Sequence, residues 1–213
     1  MQYQAVIFDM DGTLVNSESI AHQVLSSHLA EYDYHIDPVS SCRRFAGRNM
    51  AECLSEIGVE RGQPLPVKFE DEFRRRSAVA YATQLNAFDG VDRLLSGLTV
   101  PIAVASNGPH HKIAANLRIS GLDHHFGDHI YSAYDVGHWK PAPGLFLAAA
   151  SGLGCHANNC LVIEDTEFGL KAARAAGMDV MIFAPEDGQV DLPADADTFS
   201  HYDELFERLL GAH

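Results

Sequence analysis

The sequence predicts an α/β fold: a doubly wound parallel sheet with helices on both faces, interrupted after its first strand by a helical segment. Three observations carry this. Short apolar runs rich in valine and isoleucine recur along the chain, as strands buried on both faces require. Helix-like segments lie between them, the alternation that parallel crossovers impose. One long stretch, 16–88, breaks that alternation and contains no convincing strand.

The first strand is expected at 4–8, and the others at 100–105, 160–163 and 180–183. The helices of the core are expected near 90–97, 109–120, 143–152 and 166–176. Within the insert, 17–32, 50–60 and 66–85 place apolar residues at mixed three and four spacing, the helical pattern. Gly58, Gly62, Pro64 and Pro66 separate the last two. These boundaries divide the chain into a sheet core, 1–15 with 89–213, and a helical domain, 16–88.

Composition narrows the function classes. Apolar residues make up 46% of 213, enough for a packed core rather than a disordered chain. The 15 lysines and arginines against 29 acids give a net charge of −14, which disfavours nucleic acid or an anionic membrane as partner. A small anion in a locally positive pocket stays compatible. The 16–88 stretch holds eight cations against ten acids, so it is far less acidic than the remainder. Those cations are either solvated helix faces or readers of an anionic substrate. Cys42, Cys53, Cys155 and Cys160 form no Cys-x-x-Cys pair and read as reduced thiols. The paired histidines, His110-His111 and His124-His125, lack zinc spacing with cysteines and read as surface residues. The chain starts directly into a strand, without a leader pattern, and no apolar run nears the ~20 residues of a membrane span. The expectation is a soluble, cytoplasmic protein.

The chemistry concentrates at strand ends. Val6-Ile7-Phe8 runs straight into Asp9-Met10-Asp11-Gly12-Thr13, so two acids sit where a buried strand becomes a loop. Acids are costly there unless a cation or a reaction uses them. Glu164-Asp165 follows the 160–163 strand in the same way, and parallel sheets bring such ends together. Four converging carboxylates, Asp9, Asp11, Glu164 and Asp165, would repel one another; a divalent cation resolves the conflict, and oxygen donors suit magnesium. Taken alone, Glu164-Asp165 is also an ordinary acidic helix start. Ser106-Asn107-Gly108 follows the 100–105 strand and suits either a phosphate or a plain helix cap. Lys140 lies in Trp139-Lys140-Pro141, where it either neutralises phosphate and carboxylates or is a solvated loop lysine.

In this order the four stations resemble the haloacid dehalogenase superfamily of phosphotransferases. Asp9-Met10-Asp11-Gly12-Thr13 is similar to its first motif, Ser106-Asn107-Gly108 to its second, Lys140-Pro141 to its third, and Glu164-Asp165-Thr166 with Gly169 to its fourth. The helical insert resembles the small cap of the subgroup that contains β-phosphoglucomutase and sugar-phosphate phosphatases. The resemblance implies a Rossmann-like catalytic core with a helical-bundle cap. It implies Asp9 as nucleophile and Asp11 as general acid and base. It implies Mg2+ held by Asp9, the Asp11 carbonyl and Asp165, with Glu164 assisting, and phosphoryl oxygens held by Ser106, the Asn107 backbone and Lys140. Dehalogenases lack the second acid of the first motif, so Asp11 implies phosphate chemistry. Mutases of the subgroup carry a histidine where this chain has Ala21, with His22 one position away.

The runs Ser106-Asn107-Gly108-Pro109, Tyr134-Asp135-Val136 and Trp139-Lys140-Pro141 resemble bacterial phosphatases that act on 6-phosphogluconate. Arg48, and secondarily Arg44, in or near Phe45-Ala46-Gly47-Arg48-Asn49 would then read the substrate from the cap. The expectation is a magnesium-dependent phosphatase of a small phosphorylated sugar or sugar acid, acting through an aspartyl phosphate, as a monomer or small homo-oligomer. The alternatives are a phosphosugar mutase and, more remotely, a non-catalytic binding protein on the same scaffold.

Overall fold

The computed structural model describes residues 2–185 and 192–211; Met1, 186–191 and 212–213 of the expected core segments lie outside the described residues. The chain forms two compact units, Met1–Val15 with Asn86–His213, and Asn16–Leu85.

The first unit is built on a six-stranded parallel sheet in the order β3-β2-β1-β4-β5-β6. The strands are β1 (Ala5–Phe8), β2 (Ile102–Ser106), β3 (Ile130–Ser132), β4 (Cys160–Glu164), β5 (Asp179–Phe183) and β6 (Thr198–Phe199); numbered along the whole chain, the α-helices of this unit are α5 (Val91–Gly97), α6 (His110–Ile119), α7 (Asp123–Phe126), α8 (Ala133–Val136), α9 (Gly144–Gly152), α10 (Glu167–Ala175) and α11 (Tyr202–Leu210). From β1 the chain winds outward to β3, then returns to pair β4 with the other side of β1, where Phe8 stands beside Ile163. The strand order therefore reverses between β1 and β4, and sheets of this kind bind ligands outside the strand ends at such a reversal.

β1 and β4 are buried along their whole length, which explains the apolar run of each; β4 ends in the buried acid Glu164. Alternation assigns the faces. Ala5 and Ile7 join Ala103, Ala105, Cys160 and Val162 in a core completed by Leu145 and Phe146 of α9 (Gly144–Gly152) and Ala172 and Ala173 of α10 (Glu167–Ala175). Phe8 points the other way and meets the ring of Phe126 edge-on, with centroids 6.3 Å apart. Each fully buried Phe or Ile contributes roughly 1.5–3 kcal/mol relative to exposure.

The second unit contains α1 (Ser17–Ala30), α2 (Pro38–Phe45), α3 (Met50–Glu60) and α4 (Phe69–Gln84). Leu25, Leu29, Phe45, Cys53, Ile57, Phe69 and Phe73 form its core. α2 is not among the expected helices. Its start is nonetheless encoded: the Asp37 side chain accepts from Ser40 N–H at 2.9 Å and Pro38 occupies the first turn. Only Ser41 and Phe45 are buried on it, too few for a periodic signal.

The helical unit ends at Leu85 rather than Phe88. Residues 86–88 belong to the sheet unit because Ala87 bridges Val15, Phe88 N–H donates to Leu14 C=O at 3.0 Å, and the Phe88 ring packs on Phe183. The short edge strands β3 and β6, and α11 (Tyr202–Leu210), also lie outside the expected elements. α11 anchors the carboxyl end of the sheet: Tyr202 is buried against Phe183 and Phe199, and its hydroxyl donates to Thr13 C=O at 2.7 Å. Burial first, then Asp165 and Asp9, hold the Tyr202 phenol well above its ordinary pKa, so it stays a neutral donor. Among the described residues no helix is long and apolar enough to cross a membrane.

Candidate active site

Asp9 leaves β1 at the strand reversal, and its N–H donates to Ile163 C=O at 2.8 Å, carrying the β1–β4 pairing one residue further. The chain then folds back sharply. The Met10 carbonyl accepts from the N–H groups of Thr13, Leu14 and Val15, and Gly12 supplies the left-handed backbone (φ 81°) the turn needs. The Thr13 hydroxyl donates to Asp165 Oδ1 at 2.8 Å, tying the loop after β1 to the loop after β4. Tyr202 holds the backbone of that same Thr13.

Lys140 sits between the two acid loops and is buried. Its Nζ donates to Asp9 Oδ1 and, at 2.8 Å, to Glu164 Oε1, and it lies 4.7 Å from the centroid of the Phe146 ring. The solvated-loop alternative for this lysine is therefore excluded. Its backbone is held too: Lys140 N–H donates to Asn107 Oδ1 at 2.9 Å. Burial alone would lower the Lys140 pKa, but Asp9 and Glu164 raise it above the usual lysine range, so it is a fixed cation. Asp9 is pushed up to about 7, mainly by burial; Lys140 pulls it down while Glu164 and Asp11 push it further up.

Ser106 ends β2, with its Oγ accepting from Gly108 N–H at 3.1 Å. Ser132 of β3 donates to Gly108 C=O at 2.7 Å and braces the loop. The cap position of the following helix, α6 (His110–Ile119), is Pro109, which makes no side-chain cap bond. The plain helix-cap alternative for Ser106-Asn107-Gly108 therefore does not hold.

Asp9, Glu164 and Asp165 each present a carboxylate oxygen within 4.8 Å of the others, a set of hard donors that fits magnesium. The Asp11 side chain stands outside this set. Lys112, in the first turn of α6, reaches both Asp11 carboxylate oxygens, at 2.9 and 2.8 Å. Sequence reasoning misses Lys112; its only signal is its place in the first helical turn after a site-bearing strand.

A family model described as haloacid dehalogenase-like hydrolase matches residues 3–177. The chain belongs to the haloacid dehalogenase-like hydrolases. Over 96% of its length this hydrolase is 34% identical to a 6-phosphogluconate phosphatase of Escherichia coli (strain K12), covering 93% of that protein. A HAD family hydrolase from Deinococcus radiodurans R1, solved with bound phosphate and sodium, superposes with a TM-score of 0.83 at 32% identity, covering 98% of this chain and 95% of that one. A β-phosphoglucomutase from Clostridium difficile shares the fold, with a TM-score of 0.79 at 21% identity over 97% of this chain and 95% of that one.

In the helical unit of this hydrolase, Arg44 and Arg48 are both engaged by acids. Arg44 donates from Nε and Nη2 to Glu56, from Nη1 to the Tyr34 hydroxyl and from Nη1 and Nη2 to Glu60. Arg48 Nη2 reaches Glu56 Oε2 at 2.8 Å. His22, the residue beside the mutase position, is buried, with Nδ1 2.8 Å from Ser41 Oγ and Nε2 3.2 Å from Glu18 Oε2.

The fourth motif also explains its glycine. Glu164 Oε2 accepts from Asp165 N–H, Thr166 N–H and the Thr166 hydroxyl at 2.7, 2.6 and 2.9 Å, which fixes the carboxylate against α10. A Cβ on Gly169 would lie 1.9 Å from Glu164 Cδ, whereas one on Gly108 would meet nothing closer than 3.4 Å. Gly169→Ala is expected to cost about 1–3 kcal/mol in urea unfolding, and Gly108→Ala to stay within about 0.5 kcal/mol of wild type.

Proposed function

We propose that this protein is a magnesium-dependent phosphatase that hydrolyses a small phosphorylated sugar or sugar acid, such as 6-phosphogluconate, through an aspartyl phosphate on Asp9. Its place among phosphoric monoester hydrolases follows from its family and its phosphatase relatives. The metal, the substrate and the intermediate are the further reading. The observation that carries it is the meeting of Asp9, Asp165 and the Lys140–Glu164 pair at the β1–β4 reversal, with Asp11 beside them.

In this reading Asp9 attacks phosphorus in line, forming a P–O bond as the substrate alkoxide departs. Asp11 gives the alkoxide its proton. It then takes a proton from the water that attacks the phosphoryl group, which releases inorganic phosphate and restores Asp9. Lys140 orients the Asp9 carboxylate and, with the Ser106 hydroxyl and the Asn107 backbone, meets the charge on the phosphoryl oxygens. Magnesium would be held by Asp9, the Asp11 carbonyl and Asp165, and when bound would neutralise phosphoryl charge. Glu164 holds Lys140 and the loop after β4, and from that fixed position would assist at the metal.

Substrate choice is assigned to the helical unit, with Arg48 as the reader of a substrate carboxylate and Arg44 as its brace through the shared Glu56. The mutase alternative is disfavoured by Ala21 and by His22, whose two ring nitrogens are occupied within the helical unit. The binding-protein alternative would need a lost catalytic group, and Asp9, Asp11 and Lys140 are all present.

Two tests follow. Phosphorus NMR on a panel of sugar and sugar-acid monophosphates should show inorganic phosphate that appears with magnesium, stops with EDTA and falls at least about 10³-fold in Asp9→Asn. Conversion of β-glucose 1-phosphate to its 6-phosphate would establish the mutase instead. Lys112→Met should lower kcat by about 10- to 100-fold by releasing the Asp11 carboxylate from its set position, with the magnesium dependence unchanged.

A further inference from the structure

The helical unit holds a second group of ligand-type side chains, none of which the phosphatase reading uses. Glu18 and His22 lie four residues apart on α1 and so share one helix face. α2 packs against α1 and brings in Cys42. One Glu18 carboxylate oxygen, one His22 ring nitrogen and Cys42 Sγ all lie within 4.8 Å of one another. Cys42 takes part in no disulfide.

The supporting contacts are those a metal-binding histidine needs. His22 Nε2 is 3.2 Å from Glu18 Oε2, while Nδ1 is 2.8 Å from the hydroxyl of Ser41, which is itself fully buried. In the tautomer with the proton on Nδ1, that nitrogen donates to Ser41 and leaves the Nε2 lone pair, on the Glu18 side of the ring, for a metal. With zinc–nitrogen and zinc–oxygen bonds of about 2.0–2.2 Å, neighbouring ligands of a tetrahedral ion stand roughly 3.3–3.5 Å apart, close to the Glu18–His22 separation. Sulfur and imidazole donors select zinc over magnesium, the reverse of the all-oxygen set at Asp9, Glu164 and Asp165.

We propose that Glu18, His22 and Cys42 form a zinc-class site with three protein ligands and a fourth position for water or a small ligand, clasping α1 to α2. The full-length protein, stripped of metal, reduced and held in excess Mg2+ to fill the oxygen-donor set, is titrated with Co2+ and followed by absorption. One equivalent should produce a thiolate-to-cobalt charge-transfer band together with the strong visible bands of tetrahedral cobalt, both removed by Zn2+. Cys42→Ser should abolish the charge-transfer band. His22→Gln and Ser41→Ala, each checked for a wild-type circular dichroism spectrum, should weaken Co2+ binding at least about tenfold. Absence of the band in wild type, or its persistence in Cys42→Ser, overturns the proposal.

Discussion

The sheet unit depends on one buried cation. Lys140 lies between Asp9 and Glu164 with all three side chains nearly inaccessible to water. Two carboxylates in that position without a cation would drive each other toward protonation, and Asp9 can act as the proposed nucleophile only when ionised. Removing one partner of a buried pair typically costs about 3–5 kcal/mol, because the charge left behind has no water to solvate it. Much of the surrounding chain serves this arrangement. Asn107 holds the Lys140 backbone, Thr166 holds the far oxygen of Glu164, and Gly169 leaves the space in which Glu164 lies.

The same logic explains why the two acids of the first motif have different surroundings although one residue separates them. Asp9 continues the strand and is enclosed with Lys140 and Glu164. Asp11 lies past the strand end and is matched to Lys112, on a helix that starts in solvent. The enclosed acid suits attack on phosphorus; the more open one suits proton exchange with a leaving group and water. Thr13 connects them to the rest of the site, its hydroxyl on Asp165 and its carbonyl on Tyr202.

Much of this site is legible in the sequence because burying an acid is expensive. Asp9 and Glu164-Asp165 stand out as acids at the ends of fully apolar strands, and a parallel sheet has to bring those ends together. Lys112 is not legible in that way: a lysine in the first turn of a polar helix reads as a surface charge until the position of Asp11 is known. The edge strands β3 and β6 are too short to show a period, although Ser132 of β3 braces the loop after β2. The pairing of Arg44 and Arg48 with Glu56 depends on how α2 and α3 pack, and α2 hides behind two serines and few buried residues.

The most direct test of this account is a double-mutant cycle between Lys140→Met and Asp9→Asn, measured as stability by urea unfolding in EDTA. If Lys140 exists to balance the buried Asp9 charge, neutralising Asp9 should recover much of what Lys140→Met loses, with a coupling energy of about 1–3 kcal/mol. Additive losses within about 0.5 kcal/mol would contradict the account, because they would show that the two groups stabilise the site independently.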